Sequence, residues 1–215
     1  TRELVSTLKV SKIRFLGFKK EFDELSRERL VVARQKRNGS MGYRVSQSVV
    51  KAVQNDCPIE PERLEGLSTR TIFNRLHNIF ADIANGVSSS QIGLQEICDI
   101  MNSNHENRFV EAALKLGINN LGSSEETMMM FYMLHRIISF NDNEFTIDEL
   151  SRLFDDPLGL NDVIFDAMRK GESTLQEKGL VEHPCEDGLE NREVYQIPRR
   201  IQDELLADLS AKGGQ

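Results

Sequence analysis

Apolar residues recur at helical spacing along most of this chain, and the pattern changes character near residue 123. Over residues 1–37, Leu4, Leu8, Ile13 and Leu16, then Phe18, Phe22 and Leu25, predict two helical segments broken at Gly17. Asn38-Gly39-Ser40 reads as the turn that ends them. A Val45/Val49/Val50/Val53 stripe predicts a short helix stopping before Cys57-Pro58, because the residue before a proline is pushed out of the helical region. Pro58-Ile59-Glu60-Pro61 reads as an extended connector. Ser68 is placed to cap a longer helix with Ile72, Phe73, Leu76, Ile79, Phe80 and Ile83 on one face, closed by Asn85-Gly86. Ser88-Ser89-Ser90 leads into a helix carrying Ile92, Ile97, Cys98 and Met101. Asn104 is expected to open a last one with Phe109, Val110, Ala113 and Leu114, closed at Gly117.

From Ser123 a nearly unbroken apolar run follows: Met128 to Leu134, then Ile137, Ile138 and Phe140. A helix apolar on most sides is buried on more than one side. Thr146 with Glu149 three residues on predicts a capping box, hydroxyl on a helix N–H and carboxylate reaching back to the cap's own N–H. Ile147, Leu150, Leu153 and Phe154 form that helix's inner face, and Asp155-Asp156-Pro157 with Gly159 its turn. A third helix is expected from Leu160 to Lys178, striped by Leu160, Ile164, Met168 and Leu175, with Gly171 as a break and Gly179 as its C-cap. Leu180-Val181 and Val194–Ile197 are expected to pair as strands either side of Glu186-Asp187-Gly188, with Pro198 ending the second. Ile201, Leu205, Leu206 and Leu209 fit a closing helix.

This order, helix–helix–helix–strand–turn–strand–helix, is that of a winged helix-turn-helix. The expected fold is therefore mainly α: a helical region over 1–122 (leader helices 1–40, a bundle 41–117), a winged helix-turn-helix with a small β wing over 123–210, and a flexible tail 211–215. A start at Thr1 rather than Met and the polar tail Lys212–Gln215 are the ends expected of a piece cut from a longer polypeptide.

Charge changes the picture. Residues 1–40 hold 11 Lys+Arg against 5 Asp+Glu, a net of +6, whereas residues 124–208 hold 8 against 20, a net of −12. Affinity for nucleic acid comes largely from cations that neutralise phosphates, so the winged module carries the wrong field for it. Three cysteines, Cys57, Cys98 and Cys185, are odd in number and widely spaced, which points to reduced thiols and a cytoplasmic setting. The sequence has no apolar run near the roughly 18 residues a membrane span requires.

Candidate chemistry adds little. Gly117 to Ser124 has the glycine spacing of a phosphate loop, but Ser123 stands where lysine is required and a helix precedes it. In isolation the chain is expected neither to bind nor to hydrolyse ATP. Asn141 to Glu149 fails the oxygen spacing of a calcium loop. His77, His105, His135 and His183 lack ligand spacing, and His77 and His135 read as packing or surface residues on helices. No catalytic residue, metal ligand or cofactor site is assigned. The Met128–Met133 run reads as core, and the basic stretch Arg27 to Arg37 as a solvated face.

In the third helix Arg169 and Lys170 are the outward cations, set against Asp162, Asp166, Glu172 and Glu177. The wing carries Glu182, Glu186, Asp187, Glu190 and Glu193 against Arg192. Readers of DNA place cations in both elements; this acidic pair favours a protein partner. Arg169, Lys170, Glu186, Asp187 and Arg192 form the candidate contact surface.

Ser151–Pro157, Asp166–Gly171, Leu175–Val181 and Glu186–Tyr195, with the leader from Gly42 onward, resemble the region upstream of the ATPase module in bacterial AAA-family ATPases. There a helical segment and a winged helix precede the phosphate-binding module. The resemblance implies a non-catalytic N-terminal region that contacts substrate, adaptor or the ATPase module itself. A DNA-binding transcription regulator using Arg169, Lys170 and Arg192 is the competing expectation.

Overall fold

The computed structural model describes residues 24–25, 30–35, 41–45, 47–58, 63–86, 88–154, 159 and 161–210. The chain is mainly helical and forms two compact units: Thr1–Arg63 with Gly86–Ser89, and Leu64–Asn85 with Ser90–Gln215.

In the first unit, β1 (Val31–Gln35) and β2 (Met41–Val45) pair antiparallel, with Val31 opposite Val45 and Gln35 opposite Met41. This corrects the helical reading of residues 1–37 for its last part. Val31-Val32 and Val45 carry β-branched side chains that fit a pleated ladder better than a helix, and cross-strand pairing decides the case. The valine stripe is likewise divided. Val45 ends β2, and Val49, Val50 and Val53 lie on α1 (Gln47–Gln54), where Val50 and Val53 are exposed. The expected helices over 1–23, the 38–40 turn, most of the 58–61 connector, Asp155–Pro157 with Leu160, and the tail lie outside the described residues.

The second unit opens with α2 (Thr69–Ala84), capped as expected by Ser68, whose hydroxyl accepts from Thr71 N–H at 3.2 Å. Its buried face is the expected one, Ile72 to Ile83. α3 (Ser90–Asn102) instead turns Gly93, Ile97, Ile100 and Met101 inward, leaving Ile92 and Cys98 half-buried. The backbone can approach α2 closely because Gly93 has no Cβ: one there would stand 2.8 Å from Ile83 Cδ1 and 3.0 Å from Ile79 Cγ2. α4 (Arg108–Lys115) is capped by Asn107, not Asn104. Asn104 is buried, and its amide ties the end of α3 to the chain ahead of α2, donating to the Ile100 and Leu64 carbonyls and accepting from Leu67 N–H. Gly117 ends α4 in the left-handed region (φ +68) and a 3-10 turn, Ile118–Asn120, follows. The phosphate-loop spacing is thus a helix C-cap and linker, with Ser123 used as an N-cap.

α5 (Ser124–Phe140) buries Met128, Met129, Met130, Phe131, Met133 and Leu134, and packs against both α2 and α3. The unit therefore runs across the expected boundary at 122/123, because an all-round apolar helix takes core contacts from elements on both sides of it in sequence.

Asn141 leaves α5 with φ +53, and Phe145 then forms an antiparallel bridge with Tyr195 through bonds of 2.9 and 2.8 Å. α6 (Ile147–Ser151) keeps half of the expected capping box: Thr146 Oγ1 accepts from Glu149 N–H at 3.3 Å. Glu149's carboxylate does not return to the cap but accepts from Tyr132 and Arg136 on α5. The expected helix from Leu160 to Lys178 is two, α7 (Asp162–Lys170) and α8 (Thr174–Glu177), split where Gly171 takes φ +77 and Ser173 starts a new cap. Leu180 and Val181 are buried rather than paired; the ladder contact falls one residue on, Glu182 with Gln196. β3 (Cys185–Glu186) and β4 (Leu189–Glu190) then form a hairpin whose two-residue turn, Asp187-Gly188, has φ +51 and +79. α9 (Arg199–Leu205) and α10 (Ala207–Ser210) return against α4, sealing Ile201, Leu205 and Leu206.

Candidate functional site

Helix geometry puts Val163, Asp166 and Lys170 on one outward stripe of α7, with Asp162 and Arg169 beside it; all five are exposed. Arg169 is held on its own helix by Asp166 at 2.7 Å. In the hairpin, Arg192 Nε donates to Glu190 at 3.0 Å, and Asp187 is exposed at the turn that Glu186 enters. The structure thus neutralises two of the three expected contact cations with carboxylates two or three residues away. Among the described residues no hydrogen bond or ion pair joins α7 to the hairpin. Exposed Asp162, Glu172, Glu177, Glu182, Asp187 and Glu193 face solvent, with Lys170 among them. Each element also exposes a large apolar side chain, Val163 on α7 (75 %) and Leu189 on the hairpin (78 %).

A second constellation was not legible in the sequence. His77 Nδ1 and His135 Nε2 lie 3.1 Å apart, 58 residues apart in the chain. Tyr132, His135 and Arg136 follow one another along α5, and the Arg136 guanidinium is clamped by Asp142 and Glu149, donates to Tyr132 Oη at 3.0 Å, and lies 5.4 Å from the Phe140 ring centre. Such a cation over an aromatic face is held by the ring quadrupole as well as by its ion pairs. His135 is 4 % exposed with Nδ1 lacking a hydrogen-bond partner. Burial, then His77, then Arg136 hold its pKa down to about 4, so at neutral pH it is uncharged. The reading of these histidines as packing residues missed their partnership, for which single-helix spacing gives no signal.

A groove of about 380 Å³ lies between the end of α5 and the Tyr195–Ile197 segment, lined by Ile137, Asn141, Asn143, Gln196, Arg199 and Gln202 among others. Two of its polar side chains are bonded to the Ile197 backbone. Asn143 both donates to and accepts from the Ile197 backbone, at 3.1 and 3.0 Å, and Gln202 donates to the same carbonyl at 2.7 Å. This groove is a brace for the strand bridge. Cys98's thiol is pushed up by burial and by Asp99, which disfavours the nucleophilic thiolate. Among the described residues no set of three or more His, Cys, Asp or Glu converges as a metal-binding group.

Compared with protein-family models, with curated proteins and with solved structures, the chain finds no match.

Proposed function

We propose that residues 123–210 work as a winged helix whose outer face binds protein, and that the chain is a non-catalytic interaction region of an AAA-family ATPase. Support for the winged helix comes from the two bridges. Phe145, ahead of α6, and Glu182, after α8, each form an isolated bridge to the Tyr195-Gln196 segment, the positions at which a wing of that module would pair. The observation that carries the protein-binding reading is the state of the cations. Arg169 and Arg192 are spent on Asp166 and Glu190, and each of the two elements exposes carboxylates and one large apolar side chain, Val163 and Leu189. A phosphate backbone approaching α7 meets like charge, whereas a protein partner uses both the carboxylates and the apolar points. The ATPase parentage rests on the sequence resemblance, and a phosphate-binding motif downstream in the same reading frame is its test.

DNA binding is tested by titrating a labelled duplex with the chain from low to physiological salt. The expected result is no saturable binding. Binding that weakens steeply with salt and is lost in the Arg169→Ala/Lys170→Ala double variant identifies a transcription regulator instead.

A further inference from the structure

From Arg29 to Asn55 the chain carries six cations (Arg29, Arg34, Lys36, Arg37, Arg44 and Lys51) and no Asp or Glu, in a protein whose formal net charge is −7. Cations on a solvated helix face are ordinarily interleaved with carboxylates, and this run has none of its own to pair with. Nor is it a helix throughout. β1 and β2 form a two-stranded sheet with no third strand among the described residues, and α1 follows. All three elements belong to the first compact unit.

The register sorts the ribbon into two faces. Val32 stands opposite Arg44 and Arg34 opposite Gly42, so positions 34 and 44, both arginine, share one face of the pleat. Positions 31, 33, 41, 43 and 45 belong to the other and are Val, Ala, Met, Tyr and Val. Apolar groups are exposed in the same stretch. Val45, which ends β2, is 48 % exposed. Val50 and Val53, three residues apart and so on one side of α1, are 36 % and 74 % exposed, whereas Ala52 is buried. Three of the six large apolar side chains exposed among the described residues thus fall between positions 45 and 53, inside the run without carboxylates.

We propose that the β1–β2–α1 segment docks on the surface of an anionic phospholipid bilayer, its cations at the phosphate head groups and its valines at the boundary between head groups and acyl chains. The two halves of the observation call on different parts of that surface. A cluster of roughly four to eight Lys and Arg beside a short amphipathic element is attracted by a negatively charged leaflet. Exposed apolar side chains on such an element gain by burial just below the head groups. A nucleic-acid backbone also neutralises cations, but it gives the valines no apolar medium to enter. This surface is independent of the outer face of residues 123–210, which belongs to the other unit.

The test is flotation of the full chain with vesicles of phosphatidylcholine alone and of phosphatidylcholine mixed with phosphatidylglycerol, at low and high salt, with a labelled single-stranded RNA titrated in parallel. The chain is expected to partition onto the anionic vesicles only, and less so as salt rises. Each cation near such a surface contributes about fivefold, so Arg34→Gln/Arg44→Gln should lower the partition constant about 25-fold. Val50→Ser/Val53→Ser should lower it several-fold, and Arg169→Ala/Lys170→Ala, a control in the second unit, should leave it unchanged. Should Arg34→Gln/Arg44→Gln lose its far-UV circular dichroism signal, Lys36→Gln/Arg37→Gln takes its place. Absence of partitioning, equal partitioning onto neutral vesicles, or a constant unmoved by removal of the cations overturns the proposal. So does a constant unmoved in the valine variant, which means that phosphate alone is recognised. RNA binding as tight as vesicle binding and lost with the same cations identifies a nucleic-acid site instead.

Discussion

Tyr195 is 1 % exposed, forms the bridge to Phe145 through its backbone, and stacks on His183 with ring centres 4.5 Å apart. Its hydroxyl is buried without a partner, and burial raises its pKa. A desolvated, unpaired hydroxyl costs stability, while the ring contributes all of the packing. Tyr195→Phe should therefore be neutral or stabilising by up to about 1 kcal/mol in chemical denaturation. A loss of more than that reveals a partner for the hydroxyl. Glu126 presents the opposite case. It is 5 % exposed, yet one carboxylate oxygen accepts from Thr174 N–H at 2.7 Å, at the start of α8. A carboxylate at a helix N-terminus is favoured by the unsatisfied N–H groups there, so this residue ties α5 to α8.

At the scale of elements, the α2–α3 contact depends on a residue with no side chain. Gly93 lets α3 lie against Ile79, Ile83 and Met128, and a methyl group there must displace all three. Gly93→Ala is expected to cost about 1–3 kcal/mol despite alanine's better helix propensity, read as a lower denaturation midpoint at unchanged slope. A stabilised variant would show that the two helices have room to spare. α6 shows a different competition. Glu149 has the position of a capping-box partner, but Arg136 and Tyr132 offer it a charged and a neutral donor across the helix interface. A charge-assisted bond in a half-buried site outweighs one to an exposed backbone N–H, so the tertiary contact wins.

For the whole molecule, the second unit is continuous from the helical bundle into the segment after residue 123. Met129, Met130, Met133 and Leu134 are fully buried, and in an isolated 123–210 fragment α5 would lose the cover given by α2 and α3. Such a fragment is expected to melt without cooperativity, whereas 64–210 should unfold in one transition. Circular dichroism melts of the two compare them directly. A cooperative transition in 123–210 would mean that the bundle is dispensable and that the sequence boundary marks an independent domain. The surface acts at the same scale: a field set by 20 acidic against 8 basic residues over 124–208 bears on partner choice.

Much of the helical framework was legible in the residues. The Ser68 and Thr146 hydroxyls, the closing glycines at 86, 117 and 179, and the inward stripe of α2 all act within one turn of themselves, and local chemistry of that kind is written in adjacent positions. The break at Gly171 and the hairpin turn at Asp187-Gly188 follow for the same reason. What the tertiary structure decided are the cases where a distant group competes with a local one. Residues 31–35 became a strand because 41–45 pairs with them, and Asn104 gave up its expected cap for Leu64 and Leu67. The candidate site divides in the same way. The acidity of the outer face is a property of composition, and Arg169 and Arg192 pair with carboxylates two or three residues away, whereas the His77–His135 bond depends on which side chains the fold sets within 3.1 Å of each other. No periodicity along one helix encodes a hydrogen bond to another helix 58 residues away, because spacing specifies a face and only packing specifies what that face meets.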